Sequence, residues 1–249
     1  MLKEERHRLI LEEVHLHNRV LLNDLAEILN VSIDTVRRDV KELDQQKKLH
    51  KVHGGAISHG FLSTSSQSQN IYLQQEKQVI ARKAIELIKE GQVVLISGGT
   101  TNIELVKNFP RKINFTVFTP SLQVANHLMD FPNIEVIFIG GKLLHDASFA
   151  VGGMVVNLLS QIKVDLCFLG TGYLDPVSGL TEFDWEVVQV KRAMIAASKK
   201  LVLLTVSNKL NSTQRYKTCD LSAVDVLVTE LSPRASALDP FRDFIREII

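Results

Sequence analysis

Residues 19–55 read RVLLNDLAEILNVSIDTVRRDVKELDQQKKLHKVHGG, and this stretch decides how the amino-terminal part of the chain folds. Asn23-Asp24 opens a short helix whose apolar residues fall at helical spacing, namely Leu25, Ile28 and Leu29. Asn30 ends that pattern, and Ser32 can cap a second helix through its side-chain oxygen. The spacing therefore predicts two consecutive helices joined by a turn of three to four residues.

The second helix has one apolar stripe and one polar, basic face. Val36, Val40 and Leu43 recur at helical spacing and face inward. The opposite face carries Asp34, Arg38, Lys41 and Gln45, with Arg37 beside it. The basic stretch KKLHKVHGG at residues 47–55 follows at once and predicts a β-hairpin wing. Together these features are typical of a winged helix-turn-helix that binds DNA.

The charge that would attract DNA is local. The whole chain has a formal net charge of +1, and residues 1–57 hold ten Lys or Arg against ten Asp or Glu. Residues 37–51 hold six basic side chains against three acidic ones. DNA binding would therefore depend on one patch, which a homodimer or homotetramer would multiply over paired half-sites.

The remaining composition narrows the class of protein. Hydrophobic residues at 45% and charged residues at 23% fit a globular protein. Two cysteines, Cys167 and Cys219, are too few for a disulfide framework or a cysteine-based zinc site. We see neither a signal peptide nor an apolar run of the roughly 18 residues that a membrane span needs. We therefore expect a cytoplasmic protein with no membrane contact, no metal and no cofactor.

The residues that follow predict three segments. Residues 58–70, SHGFLSTSSQSQN, are rich in Ser and Gln and cannot form a core. We therefore expect a DNA-binding domain at residues 1–57, a linker at 58–71 and a second domain at 72–249. In that domain short apolar runs at 93–96, 115–118, 134–139, 164–169, 201–206 and 224–228 predict buried parallel strands. Helical patterns fall at 74–89, 102–108, 121–130, 154–160 and 184–198, with a last helix at 240–248, so a three-layer α/β fold is expected.

Four of the predicted strand ends carry residues suited to binding an anion. They read SGGTT at 97–101, TPS at 119–121, GG at 140–141 and NK at 208–209. Glycines allow close backbone approach, helix starts offer free N–H groups, and Lys209 offers a positive charge. Ligands of parallel sheets bind at this edge. The chain has no GxGxxG or Walker motif, so the pattern favours a small anionic metabolite over a dinucleotide.

VSIDTVRRDVKEL followed by HKVHGGA closely resembles the amino-terminal signature of the DeoR family of bacterial transcription regulators, over about the first 57 residues. GGTT, TPSL, IGGK, FLGTG and GLTEFDWEVVQVKRAMI followed by NK resemble the sensor domain of that family. The resemblance implies a Rossmann-like domain similar to ribose-5-phosphate isomerase and glucosamine-6-phosphate deaminase. It also implies a transcriptional repressor of a sugar or related carbon operon, controlled by a phosphorylated or otherwise anionic metabolite.

Two sets of side chains are then expected to bind ligands. The recognition helix and the wing would contact double-stranded operator DNA through Ser32, Thr35, Arg37, Arg38, Lys41, Lys51 and His53. The resemblance places the effector phosphate near Gly99, Thr100, Thr101, Ser121 and Lys209, in a pocket shaped by Gly140, Gly141 and Gly170. Ser97, Pro120 and Val206 depart from the acidic or amide residues common in the family, so we expect either an anionic effector that is atypical for it or weakened sensing.

Two alternatives remain open. The first is a sugar-phosphate isomerase or deaminase fused to a DNA-binding domain, but we expect no catalytic residue. The segment after residue 170 offers Asp175 in a turn and three acids around a helix start, Glu182, Asp184 and Glu186. The second is a constitutive DNA-binding protein whose second domain only oligomerises, for which Tyr173, Phe183 and Trp185 could form an interface.

Overall fold

The computed structural model describes residues 1–58, 72–144 and 147–249. They divide into two compact units, Met1–Tyr72 and Leu73–Ile249, each described by itself below. The predicted linker at 58–71 lies outside the described residues apart from Ser58.

The amino-terminal unit is a three-helix domain with a small sheet. Its elements are α1 (Lys3–His17), β1 (Arg19–Leu21), α2 (Leu22–Leu29), α3 (Ile33–Gln45), β2 (His50–Val52) and β3 (Gly55–Ile57). Asn30 ends α2 in the left-handed region, and Ser32 caps α3 by accepting a hydrogen bond from the N–H of Thr35. The expected apolar stripe Val36, Val40 and Leu43 packs with residues of α1 and α2 in one core.

The wing is an antiparallel hairpin of β2 and β3, and β1 pairs with the other edge of β3. Gly54 closes the hairpin with a φ of +74°, a conformation that glycine adopts without strain. At Gly55 a Cβ atom would lie 2.3 Å from the carbonyl oxygen of Val20. Two consecutive glycines are therefore needed for different reasons, one for the turn and one for the close approach of β1.

The second unit is built on a parallel sheet of seven strands in the order β15-β14-β12-β9-β4-β5-β6. These strands are β4 (Val93–Ile96), β5 (Phe115–Thr119), β6 (Ile134–Phe138), β9 (Val164–Gly170), β12 (Ser198–Leu204), β14 (Val226–Val228) and β15 (Glu247–Ile248). Its helices are α4 (Gln74–Ile85), α5 (Thr100–Lys107), α6 (Leu122–Leu128), α7 (Gly153–Ser160) and α8 (Trp185–Ala197). All six predicted strands exist; the central ones are largely buried, whereas β6 at the edge of the sheet is partly exposed, with Phe138 at 41%.

Two smaller antiparallel sheets were not predicted. β7 (Lys142–Leu144) pairs with β8 (Phe149–Val151), and β11 (Gly179–Glu182) lies between β10 (Tyr173–Asp175) and β13 (Tyr216–Cys219). Their strands are only three or four residues long, which is too short for a periodic pattern to mark them.

The prediction of a helix at 240–248 was wrong. The chain forms a 3-10 helix at Ser236–Phe241, and β15 then adds to the sheet parallel to β14. The N–H of Ile249 donates to the carbonyl oxygen of Leu227 at 2.9 Å. Partners offered by the edge of the sheet thus outweigh the local preference for a helix start at Pro240.

Candidate DNA-binding surface and anion site

The outer face of α3 carries the predicted recognition side chains. Ser32, Arg37, Arg38 and Lys41 are exposed, whereas Thr35 is half-buried. The hydroxyl groups of Ser32 and Thr35 hydrogen-bond one another at 2.9 Å, and Arg37 pairs with Asp34 on the same face. Across the described residues, no hydrogen bond or ion pair engages the side chain of Arg38 or Lys41. Two cations of α3 are therefore available to a ligand.

The wing adds two further exposed basic side chains, Lys51 and His53. The N–H of Lys51 donates to a carboxylate oxygen of Asp44, near the end of α3, at 3.0 Å. This bond fixes the start of the wing against the recognition helix, so the two basic elements belong to one rigid surface.

A buried ion-pair network that the sequence analysis missed holds α3 in place. Asp39 is 4% exposed and lies between the residues of the inward stripe. Its carboxylate accepts hydrogen bonds from Arg6 of α1 at 2.8 and 3.3 Å and contacts His7 of α1 at 3.2 Å. The hydrogen bond to Asp39 raises the pKa of Arg6. The sequence carried one signal of this network, because an acidic residue lies on the same face of the helix as the apolar residues Val36 and Val40.

The predicted anion-binding residues follow the central strands of the parallel sheet. The loop 97–101 follows β4, Ser121 follows β5, Gly170 ends β9, and Lys209 follows β12. These four strands are neighbours in the order β12-β9-β4-β5, so their carboxyl ends meet at one edge. The structure thus brings together the candidate residues Gly99, Thr100, Thr101, Ser121, Gly170 and Lys209.

A hydrogen-bond cluster shapes the loop between β4 and α5. The hydroxyl oxygen of Ser97 accepts from the N–H of Gly170 and from the side-chain amide of Asn102, both at 3.1 Å. The same Asn102 amide donates to the carbonyl oxygen of Gly98 at 3.0 Å. Ser97 therefore joins β4 to β9, and its side chain is occupied by the protein itself.

Asn102 is a second residue that the sequence analysis missed. It is fully buried, and its Oδ1 atom has no hydrogen-bond partner among the described residues. The bond to the carbonyl oxygen of Gly98 fixes which side of the amide carries the nitrogen. A buried carbonyl oxygen thus remains as an acceptor beside the loop 97–101.

Ser121 lies against the same loop. A Cβ atom at Gly98 would come 3.5 Å from the Oγ of Ser121 and 3.1 Å from the ring of Phe149. Ser121 also caps α6, because its Oγ accepts from the N–H of Val124 at 3.3 Å. Its side chain is therefore both a helix cap and part of the wall of the candidate site.

Gly140 and Gly141 differ from this group, because both are exposed and neither contacts the loop 97–101 in the described hydrogen bonds. At Gly141 a Cβ atom would lie 2.7 Å from the side chain of Val155 and 2.9 Å from the carbonyl oxygen of Val151. The close approach of β7 to β8 and α7 is thus a sufficient structural reason for glycine there.

Lys209 is only 9% exposed, and its Nζ donates to the carbonyl oxygen of Thr171 at 2.9 Å. Burial lowers its pKa to about 8, with Glu182 acting to raise it and Lys191 to lower it. Lys191, from α8, binds Glu182 and also donates to the carbonyl oxygen of Gly170 at 2.7 Å. A buried group of charged side chains therefore surrounds the ends of β9 and β12.

Lys77 of α4 belongs to the same group and was also missed. It is 6% exposed, and burial lowers its pKa to about 7, with Lys209 lowering it further and Glu104 and Glu76 raising it. The sequence signal for its burial was its position, because Lys77 lies at helical spacing before Ile80, Ala81 and Ala84, on the buried face of α4. Lys191 occupies a comparable place on the buried face of α8.

Ser97, Pro120 and Val206, the residues that depart from the family pattern, are all buried. Each is either apolar or already engaged in hydrogen bonds within the protein. Val206 is 1% exposed. The carbonyl oxygen of Pro120 accepts from the N–H of Ala150 at 2.8 Å, so residues at the end of β5 are tied to β8. With Ser97 engaged as described, none of the three supplies a free carboxylate or amide to a ligand.

The acids after β9 have structural partners instead of a catalytic arrangement. Asp175 accepts hydrogen bonds from the N–H groups of Val177 and Ser178. The bond from Ser178 is the largest cause of the lowered pKa of Asp175. Asp184 caps α8, and Glu186 pairs with the exposed Lys142 at 2.7 Å. Glu182 is bound to Lys191. A general base for sugar isomerisation would have to be free to take a proton.

Two kinds of feature are absent from the described residues. No group of three or more His, Cys, Asp or Glu side chains in that part of the chain could hold a metal ion. No helix there is both long enough and apolar enough to pass through a membrane.

Comparisons with known proteins place both units in families. The profile of the DeoR-like helix-turn-helix domain matches residues 6–60, and that of the DeoR C terminal sensor domain matches residues 73–231. The HTH-type transcriptional repressor GlcR of Bacillus subtilis is 33% identical, over 96% of this chain and 93% of that protein. The glycerol-3-phosphate regulon repressor of Escherichia coli is 30% identical, over 98% of this chain and 97% of that protein.

Among solved structures, ribose 5-phosphate isomerase A from Methanocaldococcus jannaschii is similar with a TM-score of 0.40. It is 16% identical, and the match covers 54% of this chain and 53% of that chain. The relatives that match over nearly their whole length are transcriptional repressors, which confirms the prediction of a regulator and not an enzyme. The chain belongs to the DeoR family of helix-turn-helix transcription regulators.

Proposed function

We propose that this regulator represses a sugar or related carbon operon by binding its operator DNA through α3 and the wing. The observation that carries the proposal is the pair of exposed and unengaged cations Arg38 and Lys41 on α3, beside a wing that Asp44 holds in register. Helices of this kind enter the major groove, where Arg reads guanine and Lys contacts phosphate or base. The same residues belong to the predicted set Ser32, Thr35, Arg37, Arg38, Lys41, Lys51 and His53.

We further propose that the second unit binds a sugar phosphate or a related small anion at the carboxyl edge of its sheet. The support is the convergence of Gly99, Thr100, Thr101, Ser121 and Gly170 with buried cations at Lys209 and Lys191. The relatives include a repressor named for glycerol 3-phosphate, which belongs to this chemical class. We expect a cytoplasmic homodimer or homotetramer, because paired half-sites need two DNA-binding units.

The DNA-binding half of the proposal is tested with Arg38→Ala. An operator is first selected from a random duplex library with the wild-type chain, and affinities are then measured by fluorescence anisotropy at a fixed salt concentration. Loss of a base-reading Arg should weaken operator binding by about 1–3 kcal/mol. Arg8→Ala is the matched control, because Arg8 is exposed on α1 and its replacement removes the same charge. Equal affinity of the wild-type chain and the Arg38 variant would remove Arg38 from the interface.

The effector half is tested with the same operator. Glycerol 3-phosphate, ribose 5-phosphate and glucose 6-phosphate are added in turn, and the operator affinity is measured again. A change of operator affinity with any of them supports a sensing domain. No change with any of these, nor with a wider set of phosphorylated and carboxylated metabolites, would favour a constitutive DNA-binding protein whose second domain only oligomerises.

A further inference from the structure

We propose that Ile33, the first residue of α3, contacts the 5-methyl group of a thymine in the major groove of the operator and so helps to determine the operator sequence. This inference rests on the proposed binding of operator DNA through α3, and it adds a residue outside the expected set of contacts. It also names the chemical group that is recognised, which is the apolar group that thymine displays in that groove.

The first argument is that the polar side chains at the start of α3 are engaged within the helix. The Oγ of Ser32 accepts a hydrogen bond from the N–H of Thr35 at 3.2 Å, and the hydroxyl groups of these two residues bond one another at 2.9 Å. Asp34 pairs with Arg37. The apolar side chain of Ile33 takes no part in these bonds, so it is left to contact a ligand.

The second argument is that Ile33 contributes little to the fold of the amino-terminal unit. Its side chain is 37% exposed. Within the described residues, the partly buried apolar side chains that pack against the core of this unit are Leu9, Leu11, Ala26 and Val31, and Ile33 does not join them. An apolar side chain that stays hydrated adds little stability, and isoleucine is not a strong helix former. The stability of the unit therefore does not explain an isoleucine at this position.

The third argument is the place of Ile33 on the recognition helix. Ile33, Arg37 and Asp44 follow one another at intervals of four and seven residues, so they lie along one side of α3. The wing is bound to the far end of that side, because the N–H of Lys51 donates to Asp44 at 3.0 Å. Ile33 lies at the opposite, amino-terminal end. In helix-turn-helix proteins the amino-terminal residues of the recognition helix contact the base edges.

The recognised group follows from the chemistry of the side chain. Base pairs present hydrogen-bond donors and acceptors in the major groove, and thymine adds a methyl group there. Isoleucine can form no hydrogen bond, so a favourable contact with a base edge requires that methyl group. Burial of one methyl group against Ile33 should favour thymine over the same base without it by about fourfold in each half-site.

The experiment uses the full-length chain and the operator selected from a random duplex library. Each thymidine of one half-site, together with its symmetric counterpart, is replaced in turn by deoxyuridine, which removes the 5-methyl group and leaves base pairing intact. Affinities are measured by fluorescence anisotropy at a fixed salt concentration. The variants are Ile33→Ala and Ile33→Val. The matched control is Ile28→Ala, because Ile28 is an isoleucine of α2 that is 55% exposed.

We expect one position at which deoxyuridine weakens operator binding by the wild-type chain, by about fourfold for each half-site. Ile33→Ala should bind the thymidine and deoxyuridine duplexes of that position equally, Ile33→Val should keep part of the difference, and Ile28→Ala should keep all of it.

A purely structural role of Ile33 would give a different result, because Ile33→Ala would then bind every duplex more weakly and keep the difference between thymidine and deoxyuridine. That result overturns the inference, and so does a wild-type chain that is insensitive to deoxyuridine at every position. Failure of the selection to enrich any operator would overturn the proposed DNA binding as well.

Discussion

Replacement of Lys77 by Met should change how the stability of the second unit depends on pH. In the folded chain the pKa of Lys77 is lowered from 10.5 to about 7, chiefly by burial. Between these two values the unfolded chain binds a proton that the folded chain does not. The free energy of unfolding therefore rises as the pH increases through this window, and stability is lost as the pH falls towards 7.

The size of this effect follows from the two pKa values. Between pH 7 and pH 9 Lys77 should add about 2 kcal/mol to the free energy of unfolding. The variant Lys77→Met has no group to titrate, so its free energy of unfolding should rise by about 2 kcal/mol less over the same interval. At pH 7 the variant should also be the more stable chain, because a buried ammonium group is replaced by an apolar side chain of similar length.

Urea unfolding followed by tryptophan fluorescence measures this quantity for the second unit alone. Trp185 is the single tryptophan of the chain and begins α8 at 50% exposure. Urea is preferable to guanidinium chloride, since the latter screens charges. Arg82→Met, on the exposed face of α4, is the control and should follow the wild-type chain. A Lys77 variant with the same pH dependence as the wild-type chain would show that Lys77 is not a buried titrating group, and would refute the reasoning.

Two further predictions concern the frameworks of the two units. Glu182→Gln leaves Lys191 buried without its carboxylate and should destabilise the second unit by about 3–5 kcal/mol. Glu247→Gln breaks an exposed ion pair with Lys200 and should cost less than about 1 kcal/mol. Urea unfolding followed by Trp185 fluorescence compares the two variants. Gly55→Ala forces β1 away from β3 and should destabilise the first unit by about 1–3 kcal/mol, as measured by hydrogen exchange of its amides. Gly54→Asn should cost less, because Asn tolerates the positive φ of this turn and the position is open. Similar exchange in both variants would contradict the close approach at Val20.

The sequence alone identified the helix-turn-helix, because its signals are local. The cap at Ser32, the stripe Val36, Val40 and Leu43, and the glycines of the wing lie within two dozen residues, and residue type and spacing are enough to recognise them. Six strands of the parallel sheet were also predictable, since a buried parallel strand is apolar on both faces. The candidate anion residues were recognisable because they follow such strands.

The tertiary structure decided which charged residues belong to the site and which are structural. Lys77, Lys191 and Asp39 each sit among apolar residues of a helix, and helical spacing indicates that they are buried without indicating their partners. Those partners come from other elements: Lys191 of α8 binds Glu182 of β11, and Asp39 binds Arg6 of α1. The last residues also depended on the tertiary structure, because they pair with the edge of β14 and form β15 where a helix was expected. Local patterns fix which face of an element is buried, but the energy of a buried charge or a strand edge depends on what the fold places opposite it.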